Sequence, residues 1–173
     1  FGKLLGTGSV LDSAGAAHLA RMREGAERLD AMMVDLVDWL RVDGASPKRG
    51  PVDLTLLAEW ATMELLDADP GRDACVDVQP EMQAIGDEHL LRLMMQRLLG
   101  AAWRRAGADA PIRVTVSASD AAGATILRIH DAGRDMTDAA SEFAGLRDPD
   151  DADIGMTIAR RIVERHGGAL DAQ

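Results

Sequence analysis

The sequence predicts an α+β protein in two parts: a long helical hairpin segment able to build a dimeric four-helix bundle, then a two-layer α/β sandwich. Three observations carry this. An apolar stripe with helical spacing runs unbroken through residues 11 to 43. A Gly-Ala-Ser-Pro-Lys-Arg-Gly-Pro stretch at residues 44 to 51 has linker composition and marks a change of pattern. Beyond it, helical periodicities are interleaved with the strict alternation of half-buried strands.

Along the first segment Leu19, Met22, Ala26, Leu29, Met33, Leu36 and Leu40 recur at steps of three and four, which places them on one stripe of a helix. Leu11-Asp12-Ser13 offers its N-terminal cap, and Gly44 before Ser46-Pro47 supplies its stop. At 1.5 Å per residue such a helix is roughly 45 Å long, more than a domain of this size can cover. A second helix is the natural partner, so Leu19, Met22, Leu29, Met33, Leu36 and Leu40 are expected to form a dimer interface. The plainer alternative is one amphipathic helix packed on its own domain.

After the linker, Pro51-Val52-Asp53-Leu54 starts extended, and Leu56 to Leu65 reads as a helix with Trp60 and Met63 among its apolar positions. Ala74 to Val78 alternates as a strand. Leu90 to Arg105 is the next helix, its apolar set being Leu90, Leu91, Met94, Met95, Leu98, Leu99 and Trp103. Ile112 to Ala118 and Ala124 to His130 alternate again and form an expected hairpin through Asp120-Ala121-Ala122-Gly123. Residues 131 to 153 are polar and acidic, Ile154 to His166 is a helix, and Gly167-Gly168 leads into a nascent strand. Helices with antiparallel strands in this order predict the sandwich. The expected domains are 1–46 and 52–173.

Composition narrows the function. A chain of 173 residues, 47% hydrophobic, buries enough surface to fold without disulfides or metals. Its 29 acidic side chains against 19 basic ones leave a net charge of −10, which argues against a free-standing nucleic-acid binder. Cys75 is the single cysteine, excluding a disulfide framework and multi-cysteine zinc sites and pointing to a reducing compartment. No apolar run reaches the length of a membrane span and no signal peptide is present, so a cytoplasmic location is expected. The start at Phe1 without methionine and the stop beside a nascent strand read as a piece of something longer.

The order of these pieces resembles the core of sensor histidine kinases, especially the phytochrome-linked type. Arg28-Leu29-Asp30-Ala31-Met32-Met33-Val34-Asp35-Leu36 is similar to the second helix of the dimerisation and phosphotransfer hairpin. Phe1 to Leu5 would then be the tail of its first helix. Residues 52 to 173 resemble the ATPase domain of the kinase, gyrase and chaperone superfamily, above all in Ile158-Ala159-Arg160-Arg161-Ile162-Val163-Glu164-Arg165-His166-Gly167-Gly168.

The resemblance implies four functional stations. The phospho-accepting histidine falls before Phe1, since His18, His89, His130 and His166 lack its usual neighbours; no catalytic residue is expected within the chain. The asparagine box, whose side-chain oxygens serve the hard Mg²⁺ cation, reads Arg97-Leu98-Leu99-Gly100-Ala101-Ala102-Trp103-Arg104. Arg97 supplies only donors and Ala101 supplies nothing, while Arg104 keeps a cation for phosphate. The adenine-reading Asp-x-Gly-x-Gly becomes Asp131-Ala132-Gly133-Arg134-Asp135: Asp131 and Gly133 remain, and Asp135 replaces the second glycine. The glycine-rich opening of the last helix becomes Asp151-Ala152-Asp153-Ile154-Gly155-Met156, with Gly155 the one glycine kept.

Between Asp131 and Asp153 stand eight carboxylates, Asp131, Asp135, Asp138, Glu142, Asp148, Asp150, Asp151 and Asp153, against Arg134 and Arg147. A triphosphate approaching this segment meets like charge. Arg97, Ala101, Arg104, Asp131, Gly133 and Gly155 are therefore expected to be a vestigial nucleotide site, with no metal and no cofactor; ATP and Mg²⁺ are the alternative. The expected function is a dimeric two-component signalling core working in phosphotransfer or docking a response-regulator receiver domain. An active ATP-dependent sensor kinase is the runner-up, and an anti-sigma or partner-switching protein the third reading.

Overall fold

The computed structural model of the chain describes residues 13–44, 46–106, 110–121, 123–131 and 154–171. The described chain divides into two compact units, Phe1–Arg41 and Val42–Gln173. The first is formed by helix α1 (Ser13–Gly44) up to Arg41. Its apolar stripe faces outward within this unit: Met22, Leu29, Met33, Leu36 and Leu40 are all exposed, Met22 at 72%, and Leu19 is half-buried. The cap expected at Asp12 and the first-helix tail expected at Phe1 to Leu5 lie outside the described residues.

The second unit holds β1 (Gly50–Asp53), α2 (Leu54–Ala68), β2 (Ala74–Val78), β3 (Gln83–Gly86), α3 (Glu88–Arg105), β4 (Ile112–Ala121), β5 (Ala124–Asp131) and α4 (Ile154–Arg165). Each helix start has a chemical cause. Asp53 caps α2, its carboxylate accepting from the Leu56 amide at 2.9 Å. Asp87 caps α3 through the His89 and Leu90 amides at 3.1 and 3.2 Å. Such a cap satisfies N–H groups that have no partner inside the helix. Helix α4 ends on Gly167 at φ +84°, with the Gly167 amide on Glu164 O and the Gly168 amide on Val163 O. This paired closure needs a left-handed residue, which glycine adopts without Cβ strain.

The strands form two sheets. One is a two-stranded antiparallel ribbon of β1 and β3; the other has the order β2-β4-β5. In the second, β4 and β5 are antiparallel, joined at Gly123 with φ +81°, while β2 runs parallel to β4 with Cys75 opposite Arg113. The sheet is thus mixed, where antiparallel strands were expected. The expected strand after Gly168 is absent from the described residues 168–171, and β3 is an addition to the sequence reading.

Alternation along β4 buries Ile112, Val114 and Val116 and exposes Arg113 and Thr115, so one face of the sheet carries the core. The core also takes in Leu54, Leu57, Ala58 and Ala61 of α2, Met94, Met95 and Leu99 of α3, and Ile158, Ala159 and Ile162 of α4, the last helix packing on α3. The Thr55 hydroxyl ties the start of α2 to the connection between β2 and β3, donating to Gln79 O at 3.0 Å and accepting from the Met82 amide at 2.9 Å. Helices over a sheet, preceded by a long helix, is the predicted α+β architecture.

Candidate nucleotide site

Helix α3 carries three of the expected site residues. Positions 97, 101, 104 and 105 follow one another at helical i, i+4 and i+7/i+8 spacing and so share a face. Ala101 is buried at 1% exposure, Arg97 is half-buried, and Arg104 is exposed. A methyl group at 101 fills core and offers no ligand. The basic pair Arg104-Arg105 in the last turn favours the negative end of the helix dipole.

Strand β5 delivers Asp131 to the same end of α3. Its residues Leu127, Ile129 and Asp131 point to the half-buried side, and the Asp131 side chain is only 11% exposed. Arg105 Nε lies 3.8 Å from Asp131 Oδ2. The Asp131 carboxyl group presents oxygen acceptors beside this cation. Arg105 is the residue that sequence reasoning missed. Its only signal was a second cation beside Arg104 at the helix end.

Gly155 stands in the first turn of α4 and is buried, and Ile158, Ala159 and Ile162 fix this helix in the core. Gly133 and the acidic stretch from Asp135 to Asp153 lie outside the described residues. The structure therefore brings Arg104, Arg105 and Asp131 to the α3–β5 end.

The other end of α3 is held by a second polar cluster. Asp87 Oδ2 accepts from the Lys48 amide at 2.8 Å, besides the two capping bonds to Oδ1. Burial pushes the Asp87 carboxyl up, but the amides of Lys48, Leu90 and His89 outweigh it and hold the group below the usual carboxylate range. The Asp87 amide donates to His166 Nε2 at 2.9 Å. Asp43 accepts from Arg161 Nη2 at 2.7 Å, and Glu164 also accepts from Arg161, at 3.3 Å; both raise the affinity of that guanidinium for its proton.

Among the described residues no group of three or more His, Cys, Asp or Glu converges on a metal position, and neither Arg97 nor Ala101 carries an oxygen on its side chain. The carboxylate of Asp131 and the guanidinium of Arg105 face each other at this end of α3. Among the described residues no helix is long and apolar enough to cross a membrane.

Comparison with known proteins agrees with this geometry. Residues 86–173 match the family described as histidine kinase-, DNA gyrase B- and HSP90-like ATPases. The probable sensor histidine kinase TcrY of Mycobacterium tuberculosis is 26% identical over 172 residues, covering 92% of this chain and 36% of that protein. The chain thus spans about a third of that relative's length.

Among solved structures, the histidine kinase AdeS of Acinetobacter baumannii superposes with a TM-score of 0.62 at 14% identity, over 94% of this chain and 78% of that one. Full-length ShkA in complex with AMPPNP gives a TM-score of 0.62 at 23% identity, over 95% of this chain and 37% of that one. The mycobacterial sensor histidine kinase MprB gives 0.54 at 24% identity, over 71% of this chain and 83% of that one.

These findings correct one expectation. A protein without a cofactor is contradicted by the match to a family of ATPases and by a similar fold determined with AMPPNP. The physical reason is that missing oxygens at positions 97 and 101 bear on metal ligation alone. The carboxylate at 131 and the cations at 104 and 105 are present without them. The chain belongs to the histidine kinase-, DNA gyrase B- and HSP90-like ATPases, with the fold of a histidine kinase core.

Proposed function

We propose that the second unit binds an adenine nucleotide and that the chain is the core of an ATP-dependent sensor histidine kinase. The observation that carries the reading is Asp131: a shielded carboxylate at the end of β5, held beside Arg105, at the position where the family's base-reading acid stands. In this reading Asp131 accepts the amino N–H of adenine. Arg104 and Arg105 bring positive charge to the nucleotide end of α3, and Gly155 lets the first turn of α4 lie close to its neighbours. The nucleotide supplies the phosphoryl group.

Mg²⁺ would be held through phosphate oxygens and water, because it keeps several waters and needs few protein ligands. With Arg97 and Ala101 in place of oxygen ligands, phosphoryl transfer is expected to be slow even where binding is intact. That observation favours a second reading, a nucleotide-loaded core that works chiefly in phosphotransfer or as a docking platform for a response-regulator receiver domain. In both readings the stripe Leu19, Met22, Leu29, Met33, Leu36 and Leu40 closes a homodimer.

Titration of the chain with ADP, and with ATP plus magnesium, tests the proposal by calorimetry. Saturable binding is expected, together with a rise in Tm, since a ligand that binds only the folded state stabilises it. Asp131→Asn keeps the shape but replaces one acceptor with a donor, and should weaken ADP by about tenfold, the usual effect of losing one charged hydrogen bond. No heat and no Tm shift at millimolar nucleotide would overturn it.

A further inference from the structure

His166 is fixed at both ring nitrogens. Its Nδ1 lies 2.8 Å from Ile162 O, and its Nε2 lies 2.9 Å from the Asp87 amide nitrogen. A carbonyl oxygen only accepts and an amide N–H only donates, so the ring satisfies both partners in one form, neutral with its proton on Nδ1. The ring edge rests on Gly86. A Cβ built there would lie 3.0 Å from His166 Cδ2 and 3.1 Å from Nε2, besides 2.6 Å from a Leu91 methyl. The imidazole thus occupies space that only glycine at 86 leaves open.

Three segments far apart in sequence meet at this ring. Arg49 Nη2 donates to His166 O at 3.1 Å, the Lys48 amide donates to Asp87, and Asp87 starts α3. His166 itself closes α4. We propose that His166 is a positioning residue for the nucleotide site, a tautomer-locked latch that holds the end of α4 to the start of α3. The proposal rests on the nucleotide-binding reading, because α3 carries Arg104 and Arg105 and α4 carries Gly155.

A ring with its proton on Nε2 instead would set N–H against N–H at 2.9 Å, turning a hydrogen bond into a repulsion.

The test uses the whole chain with ADP as the probe. Nitrogen NMR of the imidazole above neutral pH should show the Nδ1–H form, and the Asp87 amide should be strongly protected from hydrogen exchange. His166→Gln places an acceptor near the Nε2 position and should keep the amide protected and ADP affinity within about twofold. His166→Asn keeps only the Nδ1-like donor and should weaken ADP by about fivefold, the effect of one hydrogen bond.

An Nε2–H ring overturns the latch, as does equal ADP affinity in folded His166→Asn and His166→Gln. Normal ADP binding with a rapidly exchanging Asp87 amide sinks the latch alone. A wild-type chain that binds no ADP, with the amide protected, removes the nucleotide reading and the positioning role with it.

Discussion

At the residue scale, Asp87 shows how one short side chain fixes several segments. Its two oxygens accept three backbone amides, from Lys48, His89 and Leu90. Three donors lower its proton affinity more than burial raises it. A depressed folded-state pKa means that its stabilisation is complete above the unfolded carboxylate range and is lost as pH falls through the folded value. Wild-type Tm should therefore fall more steeply between about pH 5 and pH 3 than that of Asp87→Asn, whose amide oxygen still caps but carries no charge. Parallel melting curves across that range would contradict the assignment. Asp87→Ala, which removes the cap altogether, should cost about 1–2 kcal/mol at neutral pH.

At the element scale, the helices were legible because their signals are local. The apolar spacing of α3 and α4 and the linker after α1 are read from neighbouring residues, and the elements run Glu88–Arg105, Ile154–Arg165 and Ser13–Gly44. Strand β3 was missed because Gln83-Ala84-Ile85-Gly86 is four residues long and its one large apolar residue, Ile85, is exposed, so hydropathy does not follow its burial. The parallel pairing of β2 with β4 was missed because it joins residues 38 apart, from Ala74 to Ile112, across an intervening strand and helix.

The site divides the same way. Asp131 was legible from a short motif, whereas the His166–Asp87 bond spans 79 residues and the Arg105 contact depends on where β5 ends. Packing at the element scale is testable through Ile162, fully buried where α4 meets the core. Ile162→Ala removes a branched side chain from a site that cannot collapse around the gap, and should cost about 2–5 kcal/mol in urea unfolding. A change under 1 kcal/mol, on the order of Ile→Val elsewhere, would mean that α4 is not seated on the core.

At the scale of the whole molecule, the first unit poses a problem that its own residues do not solve. Met22, Leu29, Met33, Leu36 and Leu40 form a stripe with the 3-and-4 spacing of a bundle seam, and all five are exposed in the single chain. Burying apolar surface contributes roughly 25 cal/mol per Å², and an exposed seam of several large side chains on one helix is the signature of a surface that pairs. A second copy presents the same stripe, and a two-fold arrangement lets each knob meet a hole in its partner. The expected species is a dimer built on α1. Glutamate at both Met22 and Leu29 places four like charges in the seam of that dimer and should shift the elution volume on a sizing column to the monomer, with the ATPase unit still folded by circular dichroism. An unchanged volume for the double variant would remove the dimer role from this stripe. ADP affinity measured on the same sample separates the two units' functions: a monomer that binds ADP as the wild type does places the nucleotide site wholly within the second unit.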